Sequence, residues 1–360
     1  MPDELLVEIR NHIAFVTLNR PQALNSLSYG MVKELSARLS EWEQDDSIYA
    51  VLVRGAGEKA FCAGGDVRYI YDSFQADRTE HLQFFCDEYQ LDHRIHRYPK
   101  PYVVLMDGIV MGGGMGISQG AQFRIVTDRT RMAMPETAIG LFPDVGASYF
   151  LSRLEGALGI YLGITGASIK APDILYVGLG DLYLDTYSVV ALDDRLNDIV
   201  WSEDHHRDIE MALNTLASEL IATPTLEPFS DAIDLHFSEP SLAVIIASLK
   251  NESRTELTDW TMQTLAGLEK RSPLLMAVTL EQLHRGKRMS LADCFRMELN
   301  LVYACFDQGD FIEGIRALIV DKDQRPRWQP PTITEVTQGD IDEFFVPRWS
   351  PRDHPLSALV

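Results

Sequence analysis

In the stretch MAMPETAIGLFPDVG (Met132 to Gly146), Glu136 and Asp144 stand eight positions apart, each directly after a proline. The residues around them are almost entirely apolar. A buried carboxylate without a partner costs several kcal/mol, so two of them in one apolar segment point to a use. A carboxylate in such surroundings can activate water, attack a carbonyl or move a proton. The bland alternatives are an ion-paired structural acid for Glu136 and a helix N-cap for Asp144, ahead of VGASYFLSRL. Two glycine-rich turns, FCAGGD (Phe61 to Asp66) and MGGGMG (Met111 to Gly116), each follow a strand pattern and precede a helix pattern. Neither is a dinucleotide fingerprint, because the sixth place counted from Gly112 is Ile117, and no Gly-Lys-Ser/Thr follows for a phosphate loop. Backbone N–H groups at helix starts are unpaired donors with the positive end of the helix dipole behind them. Two of them converging on one point make an oxyanion hole. No GxSxG elbow is present, so serine-thioesterase chemistry is not expected. Cys62 reads as a small buried residue, and His93, His96, His205 and His206 read as solvated helix residues.

The elements that must position these groups fall into two parts. LLVEI and IAFVTL read as an opening hairpin. Val32, Leu35, Leu39 and Trp42 recur at helical spacing. AVLVRG, YVVLMDG and FRIVTD read as short buried strands, separated by helices such as FFCDEYQLDHRIHRY and SYFLSRLEGALGIYLGITG. Strands alternating with helices imply an α/β core with parallel pairing over residues 1–221. After the connector ATPTLEP, strand signals vanish, and residues 222–360 read as an α-helical C-terminal region. The proline-rich end, VPRWSPRDHPLSALV, is expected to be poorly ordered.

The whole chain has 360 residues, 46% hydrophobic and 24% charged, with a formal net charge of −21. That balance argues against a nucleic-acid partner. No apolar run approaches the roughly 18 residues of a membrane span. Four scattered cysteines without metal spacing suggest a reducing compartment and no structural zinc. With an acidic N-terminus that lacks a targeting pattern, the expected location is cytoplasmic.

The motifs FCAGGD, DGIVMGGGMGIS and MPETAIGLFPDVG, in this order, resemble the crotonase (enoyl-CoA hydratase/isomerase) superfamily. PETAIGLFPDVGASYFLSRL, the helix with Glu88 and Tyr89, and DFIEGIRALIVDKDQRPRW (Asp310 to Trp328) are similar to its 3-hydroxyisobutyryl-CoA hydrolase branch. The resemblance covers nearly the whole chain and is weakest around residues 185–265. It implies a spiral of ββα units that binds acyl-CoA thioesters, with CoA as part of the substrate, no separate cofactor or metal, and a possible homo-oligomer. It also implies that the N–H groups of Gly65 and Gly113 form the oxyanion hole. Glu136, as nucleophile or as general base, and Asp144 would be the catalytic carboxylates, and Glu88, Gly113, Glu136 and Asp144 would contact the substrate. Hydratases of the family resemble one another in a second glutamate just after the glycine triplet. Here that place is Gly116, so paired acid–base hydration lacks one member. Thioester hydrolysis needs only an oxyanion hole and one carboxylate. Asp144 would accept a hydrogen bond from a substrate hydroxyl. Arg20, Arg54, Lys59, Arg68 and Lys322 are candidates for the CoA phosphates. A hydratase or isomerase using Glu136 alone, and a non-catalytic acyl-CoA-binding protein, are the alternatives.

Overall fold

The computed structural model describes residues 3–219 and 222–360; the expected boundary at residue 221 lies outside the described residues. The opening hairpin is present: β1 (Leu5–Arg10) pairs antiparallel with β2 (Ile13–Leu18). Asn11 and His12 link them at positive φ, 44° and 63°, which suits the right-handed twist of the two strands. The His12 ring stacks on Tyr49, ring centroids 4.3 Å apart. Eight further strands follow in the described residues: β3 (Ala50–Gly55), β4 (Ala60–Cys62), β5 (Tyr102–Met106), β6 (Ile109–Met111), β7 (Phe123–Thr127), β8 (Arg131–Ala133), β9 (Ile169–Lys170) and β10 (Leu182–Leu184).

The strands form a six-stranded sheet in the order β1-β2-β3-β5-β7-β10, parallel from β2 onward, and a four-stranded sheet in the order β4-β6-β8-β9. Successive pairs, β3 with β4, β5 with β6 and β7 with β8, each add one strand to each sheet. Each pair is followed by helical chain: Val67–Gln75, Gly113–Gln119 and the 3-10 turn Glu136–Ile139. This is the spiral of ββα units that the resemblance implies. Alternate residues of the large sheet, among them Phe15, Leu52, Val103 and Ile125, bury one face against Leu192, Leu196, Ile209 and Leu213. The period of two along each strand is what sends these residues to one side.

The chain folds into two compact units. One comprises Met1–Asp66, Leu91–Met132 and Ser168–Thr225, and contains the sheets. The other comprises Val67–Gln90, Ala133–Ala167 and Leu226–Val360. The expected C-terminal helices are present, notably Pro273–Gly286 and Leu291–Gln308.

Three expectations are corrected. The segment SYFLSRLEGALGIYLGITG is broken into Ala147–Phe150, Leu151–Arg153 and Leu158–Thr165. The break centres on Gly156 at φ 56°, where a Cβ would strike the Asp234 carboxylate, and the Ala157 N–H donates to that carboxylate at 2.7 Å. The proline-rich end is packed rather than loose. Leu356 is buried, Arg296 Nε donates to its carbonyl at 3.1 Å, and Trp349 meets Tyr303 edge-on. His93 and His96 point inward. The His96 ring fills the space that a Cβ on Gly120 would take, and burial lowers its pKa to about 4. His205 stacks on Tyr49 at 4.0 Å, while His206 is exposed. Among the described residues no helix is long and apolar enough to cross a membrane.

Candidate active site

Both glycine loops lie in the first unit and meet each other there. A parallel bridge joins Leu27 to Gly65: the Leu27 N–H donates to the Gly64 carbonyl at 2.8 Å, and the Asp66 N–H donates to the Leu27 carbonyl at 2.9 Å. Those bonds use the amide after Gly65 and the carbonyl before it, leaving the Gly65 N–H outside the bridge. Gly113 begins the helix Gly113–Gln119, and Gly112 enters it at φ 47°. The Gly113 N–H is therefore one of the first-turn donors that a helix leaves unpaired. A Cβ on Gly114 would run into the Cys62 carbonyl, and one on Gly64 would lie 3.7 Å from the Gly113 nitrogen. At Gly114 only glycine lets the two loops pack this closely, and Gly64 is suited by its φ of 108°. Cys62 is buried against this contact, as expected.

The acids lie in the second unit. Glu136, 5% exposed, opens the 3-10 turn, and its Oε2 has no hydrogen-bond partner among the described residues. Burial, and then the Asp144 charge, push its carboxyl well above the ordinary glutamate range. Arg271 offsets this in part but makes no contact-distance ion pair with it among the described residues. The guanidinium instead donates to Thr137 Oγ1 at 2.8 Å, and burial lowers its own pKa to about 10. Asp144 is buried and accepts a 2.7 Å hydrogen bond from the Tyr89 hydroxyl. Burial raises its pKa to about 6, and the Tyr89 bond works against that rise. Glu88 is 2% exposed, so it is not the solvated helix acid its sequence position alone allows. Its Oε1 has no partner among the described residues, and burial and Asp144 raise its pKa strongly. Glu88, Glu136 and Asp144 thus form one buried acidic group, in which at most some can be ionised at once. Such a group can hold and move protons.

Asp144 does not cap the following helix. Its backbone carbonyl accepts from Ala147, and no side chain of the N-cap residue takes part. The cap is Glu298 on the helix Leu291–Gln308, whose Oε2 accepts from the Gly146 N–H at 2.7 Å and whose Oε1 accepts from the Ser148 N–H at 2.8 Å. From helix Pro273–Gly286, Gln282 Nε2 donates to the Pro143 carbonyl at 2.6 Å and to Ser148 Oγ at 2.8 Å. Between these clamps Val145 sits at φ 53°. A β-branched residue held there costs about 1–3 kcal/mol.

Sequence reasoning missed Glu298, Gln282 and Arg271. A signal for Glu298 was available: it sits beside Phe295, Leu299 and Val302 on an apolar helix face, where an acid needs a partner. Of the phosphate candidates, Arg20 is paired with Asp66 at 2.8 Å and Arg54 with Asp193 at 2.7 Å. Arg68 pairs along its helix with Asp72 at 3.0 Å. Lys59 and Lys322 are exposed, without an ion pair among the described residues. No group of three or more His, Cys, Asp or Glu residues is placed to hold a metal ion among the described residues.

Residues 13–345 match the enoyl-CoA hydratase/isomerase family. The chain belongs to that family. Within the enoyl-CoA hydratase/isomerase family it is similar to the mitochondrial 3-hydroxyisobutyryl-CoA hydrolase of Danio rerio, 40% identical over 346 residues, which span 95% of this chain and 89% of the relative. The Homo sapiens protein of the same name is 37% identical over 347 residues, 95% and 88% of the two chains. Among solved structures, a carnitinyl-CoA dehydratase from Mycobacterium thermoresistibile is 40% identical and superposes with a TM-score of 0.87 over 96% of this chain and 97% of its own. The hydrolase relatives are named as mitochondrial enzymes, which overturns the cytoplasmic location expected above. Among the described residues the four cysteines are buried and form no disulfide, but thiols bear on a redox environment and not on an address.

Proposed function

We propose that this chain hydrolyses the thioester of 3-hydroxyisobutyryl-CoA, releasing CoA and 3-hydroxyisobutyrate in valine breakdown. The observation that carries this reading is Glu136: a buried carboxylate, its Oε2 unpartnered among the described residues, beside two further acids, with Gly116 where hydration would need a second catalytic acid. Relatives of that name, 37–40% identical over about 95% of the chain, support the substrate.

In the proposed reaction the thioester oxygen takes up negative charge, and the Gly65 and Gly113 N–H groups stabilise it. By one route Glu136 removes a proton from water as the water oxygen bonds to the carbonyl carbon. The C–S bond then breaks, and CoA leaves as a thiolate that takes the proton from Glu136. By the other route Glu136 attacks first, the C–S bond breaks and CoA leaves as a thiolate; water then cleaves the resulting anhydride at the Glu136 carbonyl and gives a proton to the thiolate. A single turnover in heavy-oxygen water distinguishes them. Direct water attack places solvent oxygen in the product, and the anhydride route places it in Glu136. Asp144 and Glu88 hold the substrate's hydroxyl end. No metal takes part, so a chelator is expected to leave turnover unchanged. As the resemblance implies, we also propose a homo-oligomer; a monomer in sedimentation at assay concentration would refute it.

The dehydratase relative favours a second reading, loss or addition of water at a C–C bond by Glu136 alone. Thiol release from 3-hydroxyisobutyryl-CoA, measured beside hydration of crotonyl-CoA, separates the two. Comparable kcat/KM values for both would favour the second.

A further inference from the structure

Asp144 lies on a loop whose backbone is held from outside. Pro143 is tied through its carbonyl to Gln282, and Gly146 and Ser148 are tied through their N–H groups to the two oxygens of Glu298. Val145, between them, takes a positive φ that its branched side chain disfavours. Gly146 follows at φ 90°, where a Cβ would press on the Phe295 ring at 3.1 Å. A loop with this conformation does not hold itself; the partners on the two helices hold it. The Asp144 side chain is not part of the clamp. It is free to meet Tyr89 on its other side, at 2.7 Å.

We propose that Glu298 is a positioning residue for substrate selection. By fixing the Gly146 and Ser148 amides it aims the Asp144 carboxylate at the acyl hydroxyl. Both oxygens of Glu298 are used as acceptors, and the residue is 0% exposed, so it makes no contact with substrate. It places the Asp144 carboxylate through the loop backbone that it fixes. The proposal rests on the role given to Asp144 in the hydrolase reading.

Glu298→Gln keeps the shape and one acceptor but turns an NH2 group toward one of the two amides. Selectivity is read as the ratio of kcat/KM for 3-hydroxyisobutyryl-CoA to that for isobutyryl-CoA. It is expected to fall at least tenfold, while the Kd for free CoA changes less than twofold. A general loss of stability lowers both kcat/KM values and leaves their ratio alone. An unchanged ratio in the folded variant overturns the proposal. If Glu298→Gln does not fold, Glu298→Asp takes its place: its shorter carboxylate cannot reach both the Gly146 and Ser148 amides, and an unchanged ratio there overturns the proposal equally. If the wild-type protein hydrolyses neither thioester, the hydrolase reading fails by itself. A crystal structure of Glu298→Gln then still tests the clamp. Loss of the Tyr89–Asp144 contact supports it, and an undisturbed contact refutes it.

Discussion

Glu136 is the side chain whose loss the proposed chemistry cannot absorb. Glu136→Gln keeps its volume and removes its basicity. Turnover by thiol release is expected to fall about a thousandfold or more, ~4 kcal/mol in the barrier, with free-CoA affinity kept. A variant that retained more than about a tenth of wild-type turnover would contradict the role. Because burial and Asp144 hold the Glu136 carboxyl above the usual range, the ionised form accumulates only as pH rises. The kcat/KM profile should therefore climb through a midpoint above the ordinary 4.5, and Asp144→Asn, which removes a like charge, should move that midpoint down. Stability runs the other way. Glu298 has its pKa raised from 4.5 to about 8, so the folded state holds the proton more tightly than the unfolded one. Its contribution is complete below 4.5 and is lost as pH rises through about 8. Over that window the wild-type Tm should fall, and Glu298→Gln should show a shallower fall; parallel slopes would refute the assignment.

At the scale of elements, the close approach of the two glycine loops is what the oxyanion hole would depend on. Gly114→Ala forces a methyl group against the Cys62 carbonyl and pushes the start of helix Gly113–Gln119 away from the FCAGGD turn. Removing an oxyanion donor costs about 10²–10³ in kcat, so displacing Gly113 should cost at least tenfold. Gly178→Ala is the matched control. Gly178 has φ 77° with nothing within 4 Å of the added atom, so alanine there costs only the left-handed backbone penalty, about 1–2 kcal/mol. It should lower Tm and spare kcat. Equal effects of the two variants on kcat would show that Gly114 matters to stability alone.

For the whole molecule, the net charge of −21 sets the field that a polyanionic CoA ester meets on approach. Repulsion between like charges weakens as salt screens it. Hydrolysis at low substrate concentration, which reports kcat/KM, should therefore rise with ionic strength. A fall would mean that exposed cations such as Lys59 and Lys322 dominate the encounter.

Much of this was legible along the chain because it depends on neighbours only a few positions apart. Alternation marks β1 and β2, glycine marks the two loops, and a glutamate and an aspartate in an apolar run mark the buried acids. In each case the local backbone geometry or the local burial pattern demands the residue type. The ordered motifs were enough to place the family. Other features needed the folded chain. Asp144 follows a proline and precedes a helix, and read locally it is a good cap, yet the amides of that helix go to Glu298, 152 residues from Gly146. His93 and His96 sit on a helix that reads as polar, yet His93 is buried and the His96 ring takes the space that the missing Cβ of Gly120 leaves. The proline-rich end lacks any period and still packs, Leu356 on Arg296, 60 residues away, and Trp349 on Tyr303, 46 residues away. Local sequence determines what a residue can do with its own backbone. Which buried acid keeps a free oxygen and which spends both on capping is decided by elements far apart in the chain, because burial makes every polar group compete for the partners that packing brings within reach.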